Sequence, residues 1–128
     1  NINGLSRITE AEAVKIRTNA SLTNLDGLEN IESILGFSIL RNPALNDISA
    51  LKNIPSRINY IHINDNANLA DLSVFSEVEE IRYEMEIEGC PLIDDLSVFS
   101  NLTSVGRWMY INDLGITNLD SFSKLIAV

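Results

Sequence analysis

A self-similarity with a period of about 23–24 residues constrains this chain more than any other feature. The stretch ILRNPALNDISAL (39–51) returns as INDNANLADLSVF (63–75), as IEGCPLIDDLSVF (87–99) and, one residue shorter, as INDLGITNLDSF (111–122). Upstream, IRTNASLTNLDGL (16–28) is the same unit, and a sixth copy begins at Ser121-Phe122. A unit this short cannot bury an apolar face alone, so neighbours must stack and share one core. The repeat therefore predicts a solenoid, with residues 1–128 forming a single domain.

The columns of the repeat carry the local physics. Pairs of apolar residues two apart recur as Val14/Ile16, Phe37/Ile39, Ile61/Ile63, Met85/Ile87 and Met109/Ile111. That spacing reads as a short strand with one buried face, and one such strand per turn stacks into a parallel sheet. Three residues later come Asn19, Asn42, Asn66, Cys90 and Leu114. An inward Asn there can bond the backbone of the neighbouring turn, while Cys90 and Leu114 are expected to break that ladder and leave a drier core. Apolar residues then follow at every third position, as in Leu45, Ile48, Leu51 and Ile54, which suits walls of short 3₁₀ or helical segments or of bent extended segments. An Asx column (Asn24, Asp47, Asp71, Asp95, Asn118) supplies turn caps, and Asp26 with Glu29 has capping-box spacing.

These residues resemble the leucine-rich-repeat superfamily, in which L-x-L-x-x-N/C follows a strand; IHINDN and MEIEGC carry the pattern here. The segments NPALNDI and NANLADL, with the preceding ILGFSI, are similar to the receptor L domain, and DISALKNI is similar to internalin-type repeats. The resemblance implies a right-handed parallel β-solenoid of about five turns. It also implies a cell-surface or extracellular adhesion module that binds a protein through its open sheet face. The receptor versions adjoin Cys-rich modules, and this chain departs from them in having one cysteine.

Charge and composition narrow the partners. A net charge of −9 repels phosphate backbones and anionic membranes, so neither nucleic acid nor membrane insertion is expected. No apolar run approaches the length that spans a bilayer. The chain starts with Asn and its last unit stops mid-turn, so it reads as a fragment whose ends are covered by further repeats or another chain. Sequons occur at Asn19 and Asn101; because Asn19 falls in the inward ladder, a glycan there would contradict the fold.

The strand register predicts which side chains face out. The candidate partner-binding set is Tyr60, His62, Asn64, Glu84, Glu86, Glu88, Trp108, Tyr110 and Asn112. Outward Trp and Tyr are common interface anchors, which favours a protein ligand. A glycan stacked on Trp108 and Tyr110 is the alternative, and a spacer with a solvated face is the third reading. The face is expected to be basic at its first strand, acidic in the fourth and aromatic in the fifth. No catalytic, metal or cofactor residues are assigned. His62 is the only histidine and Cys90 is an inward column residue. NDNAN (64–68) resembles a calcium loop only superficially, since Asn64 leads in place of Asp and no bidentate Glu follows at loop spacing. The glutamates of SEVEEIRYEMEIEG (76–89) are read as a solvated edge, with a cation or basic-partner site as the alternative, and same-face carboxylates ~6.6 Å apart along one strand lack the apolar setting of a glycosidase pair. Five strands give a face of roughly 400 Å², about half of what one partner buries in a stable interface.

Overall fold

The computed structural model describes residues 2–128. Eight strands run in chain order: β1 Glu10–Arg17, β2 Ser33–Leu40, β3 Arg57–Ile58, β4 Tyr60–Asn64, β5 Glu80–Ile81, β6 Glu84–Cys90, β7 Ser104–Val105 and β8 Trp108–Leu114. They form a five-stranded sheet in the order β1-β2-β4-β6-β8 and a smaller sheet, β3-β5-β7. Every pairing is parallel. Ile16, Ile39, Ile63, Ile87 and Ile111 stand in one row across the large sheet. The chain is thus a parallel β-solenoid with about four complete turns between its five strands, and the repeat register is the strand register.

Alternation decides which side of each strand is buried. Ile61 and Ile63 in β4, and Met85 and Ile87 in β6, point into the coil and are fully buried, while their neighbours face outward. The return wall contains 3₁₀ turns at Ser73–Phe75, Ser97–Phe99 and Asp120–Phe122. The Asx column closes each of these corners in the same way. Asn24, Asp47, Asp71, Asp95 and Asn118 each accept a bond through Oδ1 from the backbone N–H two residues on, at 2.7–3.3 Å. The Asp26–Glu29 capping box does not form. No helix follows, and the Glu29 carboxylate instead accepts from the Gly27 N–H at 2.9 Å.

Phenylalanines line up through the interior. Phe37 meets Phe75 edge-on at 5.4 Å, and Phe75, Phe99 and Phe122 continue the row at 6.0 and 6.2 Å. Phe75 and Phe99 are fully buried, but Phe122 is only partly so. In the fifth coil Met109, Ile111, Leu114, Ile116 and Leu125 are likewise half-buried. No helix among the described residues is long and apolar enough to cross a membrane.

The Asn ladder forms and extends one coil further than the sequence suggests. Asn42 Nδ2 donates to the carbonyls of Ile16 (3.1 Å) and Leu40 (3.0 Å), and Asn66 Nδ2 donates to Ile39 and Asn64 (both 3.0 Å). Each Oδ1 accepts from the ladder residue before it: Asn42 Oδ1 from the Asn19 N–H, Asn66 Oδ1 from the Asn42 N–H. Cys90 does not break the pattern. Its Sγ lies 3.8 Å from the Ile63 carbonyl and 3.3 Å from that of Glu88, the carbonyl positions that an Asn amide serves one coil earlier. A thiol is a weak donor and acceptor, so the fourth rung is weaker rather than missing. Asn19 is exposed at the end of the ladder rather than buried in it, with its Nδ2 bonded to the Arg17 carbonyl and to Asn42 Oδ1. Asn101 is partly buried, with its Oδ1 bonded to Lys124 Nζ at 2.8 Å.

Just before every rung the backbone turns through the left-handed region. Thr18, Arg41, Asp65 and Asp113 have φ between 51° and 59°, and Gly89 has φ 63°. Only Gly89 suits that conformation without strain; for the others it costs about 1–2 kcal/mol each. The corner persists because the N–H groups of Thr18, Arg41 and Asp65 each donate at 2.9 Å to the next coil's carbonyl, on Leu40, Asn64 and Glu88. Removing a fully occupied rung should therefore be costly. Asn66→Ala leaves the buried Asn42 N–H without its acceptor and takes donors from two carbonyls, for an expected loss of about 2–4 kcal/mol in urea unfolding. Asn19→Ala at the exposed end should cost about 1 kcal/mol or less. Equal losses would disprove the link between burial and cost.

Candidate functional site

The outward side chains of the large sheet form three rows across the strands. One row is Gly36, Tyr60, Glu84 and Trp108; the second is Lys15, Ser38, His62, Glu86 and Tyr110; the third is Arg17, Leu40, Asn64, Glu88 and Asn112. All nine candidate residues stand on this face, and they occupy three adjacent strands.

The rings are not confined to the fifth coil. Tyr60 lies across β2 at Gly36, where an added Cβ would come within 2.5 Å of the ring. Glycine at 36 is thus the seat that lets a tyrosine lie down on a sheet. The His62 ring stacks on Tyr60 at 4.9 Å, and its plane is within 8° of that of Trp108, 6.2 Å away between centroids. Lys15 Nζ lies 5.8 Å from the Tyr60 centroid, close enough for a cation–π contact. At the rim the Arg107 guanidinium covers Tyr83 at 5.0 Å and pairs with Glu84 at 3.3 Å. Trp108 and Tyr110 remain 41% and 45% exposed, which is unusual for large rings standing beside one another.

Between the two sets of rings runs β6 with its three glutamates. Glu84 Oε2 is 4.0 Å from His62 Nε2. Glu86 Oε1 accepts a hydrogen bond from Asn64 Nδ2, and Glu88 Oε1 accepts from Asn112 Nδ2 at 3.1 Å. These three glutamates are half-buried side chains in a polar lattice, not the solvated edge the charge run suggests. Four polar atoms on β2 and β4 are buried without a partner: Ser38 Oγ, Tyr60 OH, His62 Nε2 and Asn64 Oδ1. They are contiguous, since Ser38 pairs with His62 and Gly36 with Tyr60 in the ladder. Such atoms are uncommon in folded proteins and cost stability unless something satisfies them.

Burial holds the His62 imidazole below its ordinary value of 6.5, against the opposing pull of Glu86 and Glu84. Arg17 and Lys15 add to the depression. His62 is therefore neutral at pH 7. Burial raises the Cys90 thiol, so the fully buried sulfur is a poor nucleophile.

Two roles missed in the sequence are those of Gly36 and Arg107. Gly36 carried a signal, being the one glycine in a column whose later members are Tyr60, Glu84 and Trp108, but Arg107 carried none. The NDNAN segment is committed elsewhere: Asn66 to the ladder, Asn64 to Glu86, and Asp65 to a 3.5 Å ion pair with Arg41. Among the described residues no three His, Cys, Asp or Glu side chains converge as a metal site. Comparison with protein-family models, with curated proteins and with solved structures found no match for this chain.

The depressed imidazole has a measurable consequence. Between the folded and unfolded values the unfolded chain binds more protons, so acidification favours unfolding. Stability is whole above pH 6.5 and falls as the pH drops from there toward the lower folded value, with a slope of at most about 1.4 kcal/mol per pH unit for one proton. Asp47 and Asp95, lowered mainly by bonds from the Ser49 and Ser97 side chains, act only in the carboxylate range. Since His62 is the only histidine, His62→Gln should flatten the stability profile between pH 6.5 and 5. A slope unchanged in that variant would refute the assignment.

Proposed function

We propose that the chain is a recognition module, at the cell surface or outside the cell, that binds a protein partner through the outer face of its five-stranded sheet. The observation that carries this reading is the pair of exposed rings, Trp108 and Tyr110, standing beside a half-buried polar lattice with unsatisfied atoms. Large amphipathic rings around a partly desolvated polar centre are how interface hot spots are built. Charges of both signs, Lys15 and Arg17 on β1 against Glu84, Glu86 and Glu88 on β6, would fix the orientation of a protein surface. The small area of the face implies that the flanks take part or that affinity is modest.

A second reading has one observation in its favour. Trp108 and Tyr110 lie on the same side of one strand, next to the bonded Asn112–Glu88 pair, an arrangement that could stack a sugar ring and hold its hydroxyls. The double variant Trp108→Ala/Tyr110→Ala decides among the readings when it is tested beside the parent chain on arrays of surface proteins and glycans. Loss of protein binding by about 100-fold, with the melting temperature held within a few degrees, is the expected result. Loss of glycan binding alone would select the second reading. Binding that ignores both substitutions would remove the sheet face from consideration.

A further inference from the structure

Building on the sheet-face reading, we propose that the protein partner places an arginine side chain over β6, against the exposed rings of Trp108 and Tyr110 on β8.

The strip along β6 is short of cations. Among the described residues, Glu84 pairs with Arg107, but Glu86 and Glu88 are held only by the neutral amides of Asn64 and Asn112. His62 does not supply a charge, because burial keeps it neutral at pH 7. Lys15 and Arg17 stand on β1; Lys15 Nζ reaches as far as the Tyr60 ring on β4, 5.8 Å from its centroid, and among the described residues neither cation forms an ion pair with a glutamate of β6. Two half-buried carboxylates are thus left without a counter-ion, and a partner's cation would supply it. The net charge of −9 would draw a basic surface toward the chain.

The shape of the strip favours a flat cation. Tyr60 and His62 on one side and Trp108 and Tyr110 on the other are each one strand from the glutamates. The His62 and Trp108 planes are within 8° of each other. A planar cation can stack against such a ring while its edge donates to a carboxylate below. Guanidinium does both at once, whereas a lysine ammonium has no plane to stack.

Donors and acceptors are also out of balance there. His62 Nε2 and Asn64 Oδ1 are buried without partners beside the strip, and Asn64 Oδ1 can only accept. Those two atoms lie beneath the surface, and the half-buried carboxylates of Glu84, Glu86 and Glu88 above them are what call for donors. Guanidinium brings five N–H donors and no acceptor. Phosphate or carboxylate would bring only acceptors and a repelled charge. A sugar would bring mixed groups and leave the two carboxylates without a cation.

The test is a titration of the full chain with N-acetyl-arginine amide, followed by Trp108 emission and by backbone amide shifts. The uncharged N-acetyl-citrulline amide, nearly isosteric, is the control. The expected result is saturable binding in the millimolar range, with shifts centred on His62, Glu84–Glu88 and Trp108–Asn112, and a citrulline response at least about 10-fold weaker. Glu86→Gln/Glu88→Gln, which keeps the acceptors for both amides, should weaken the arginine response by about 10-fold or more without lowering the melting temperature. No saturable response, an equal response to citrulline, or an unchanged response in the glutamine variant would each overturn the inference. If a partner remains sensitive to Trp108→Ala/Tyr110→Ala while the arginine probe fails, only the cation is wrong and the sheet-face reading stands. A partner insensitive to the ring substitutions would overturn both.

Discussion

The hydrogen-bonded register between one coil and the next is the interaction on which the rest of this molecule depends. A solenoid has no long-range closure; each turn is held by the turns beside it. Here that hold has two parts, the parallel ladder of the large sheet and the rungs made by Asn19, Asn42, Asn66 and Cys90. The rungs matter because Asn19, Asn42 and Asn66 sit at corners that are neither strand nor 3₁₀ turn, where backbone groups would otherwise lack partners. One amide side chain serves two carbonyls and one N–H, and it binds its own coil to its neighbour.

That register also explains a tolerated strain. Thr18, Arg41, Asp65 and Asp113 adopt a left-handed conformation that such residues seldom take. In the first three, the corner N–H points at the next coil's carbonyl only in this conformation, and the bond together with the rung offsets the local cost. Gly89 fills the same position in the fourth coil, where a Cβ would meet Asp65 Oδ1 at 2.7 Å. The strain repeats with the coil, which identifies it as part of the architecture rather than a mark of a site.

The outer face of the large sheet inherits its geometry from the same stacking. Parallel strands in register hold each outward column at a constant spacing, so an aromatic strand, an acidic strand and a second aromatic strand become adjacent walls and floor. The half-buried state of the three glutamates follows from the rings on either side.

Much of the fold was legible along the chain. A short fixed period, alternating apolar pairs and an Asx column are local patterns whose physical demands are the same in every copy, so five repetitions specified strand, register, inward columns and outward face. The membership of the candidate site followed from that alternation. What the pattern could not state is how outward side chains meet across strands. Tyr60 lies down because Gly36, one coil earlier, leaves room; Arg107 reaches Glu84 on the preceding coil; Cys90 completes a rung because the carbonyls of Ile63 and Glu88 converge on its sulfur. Those contacts depend on rotamers, ring planes and burial shared between coils. The sequence by itself determined the coil and its register, because backbone pairing repeats. Only the tertiary structure decided how the side chains of the outward face meet, because contacts between unlike residues do not repeat.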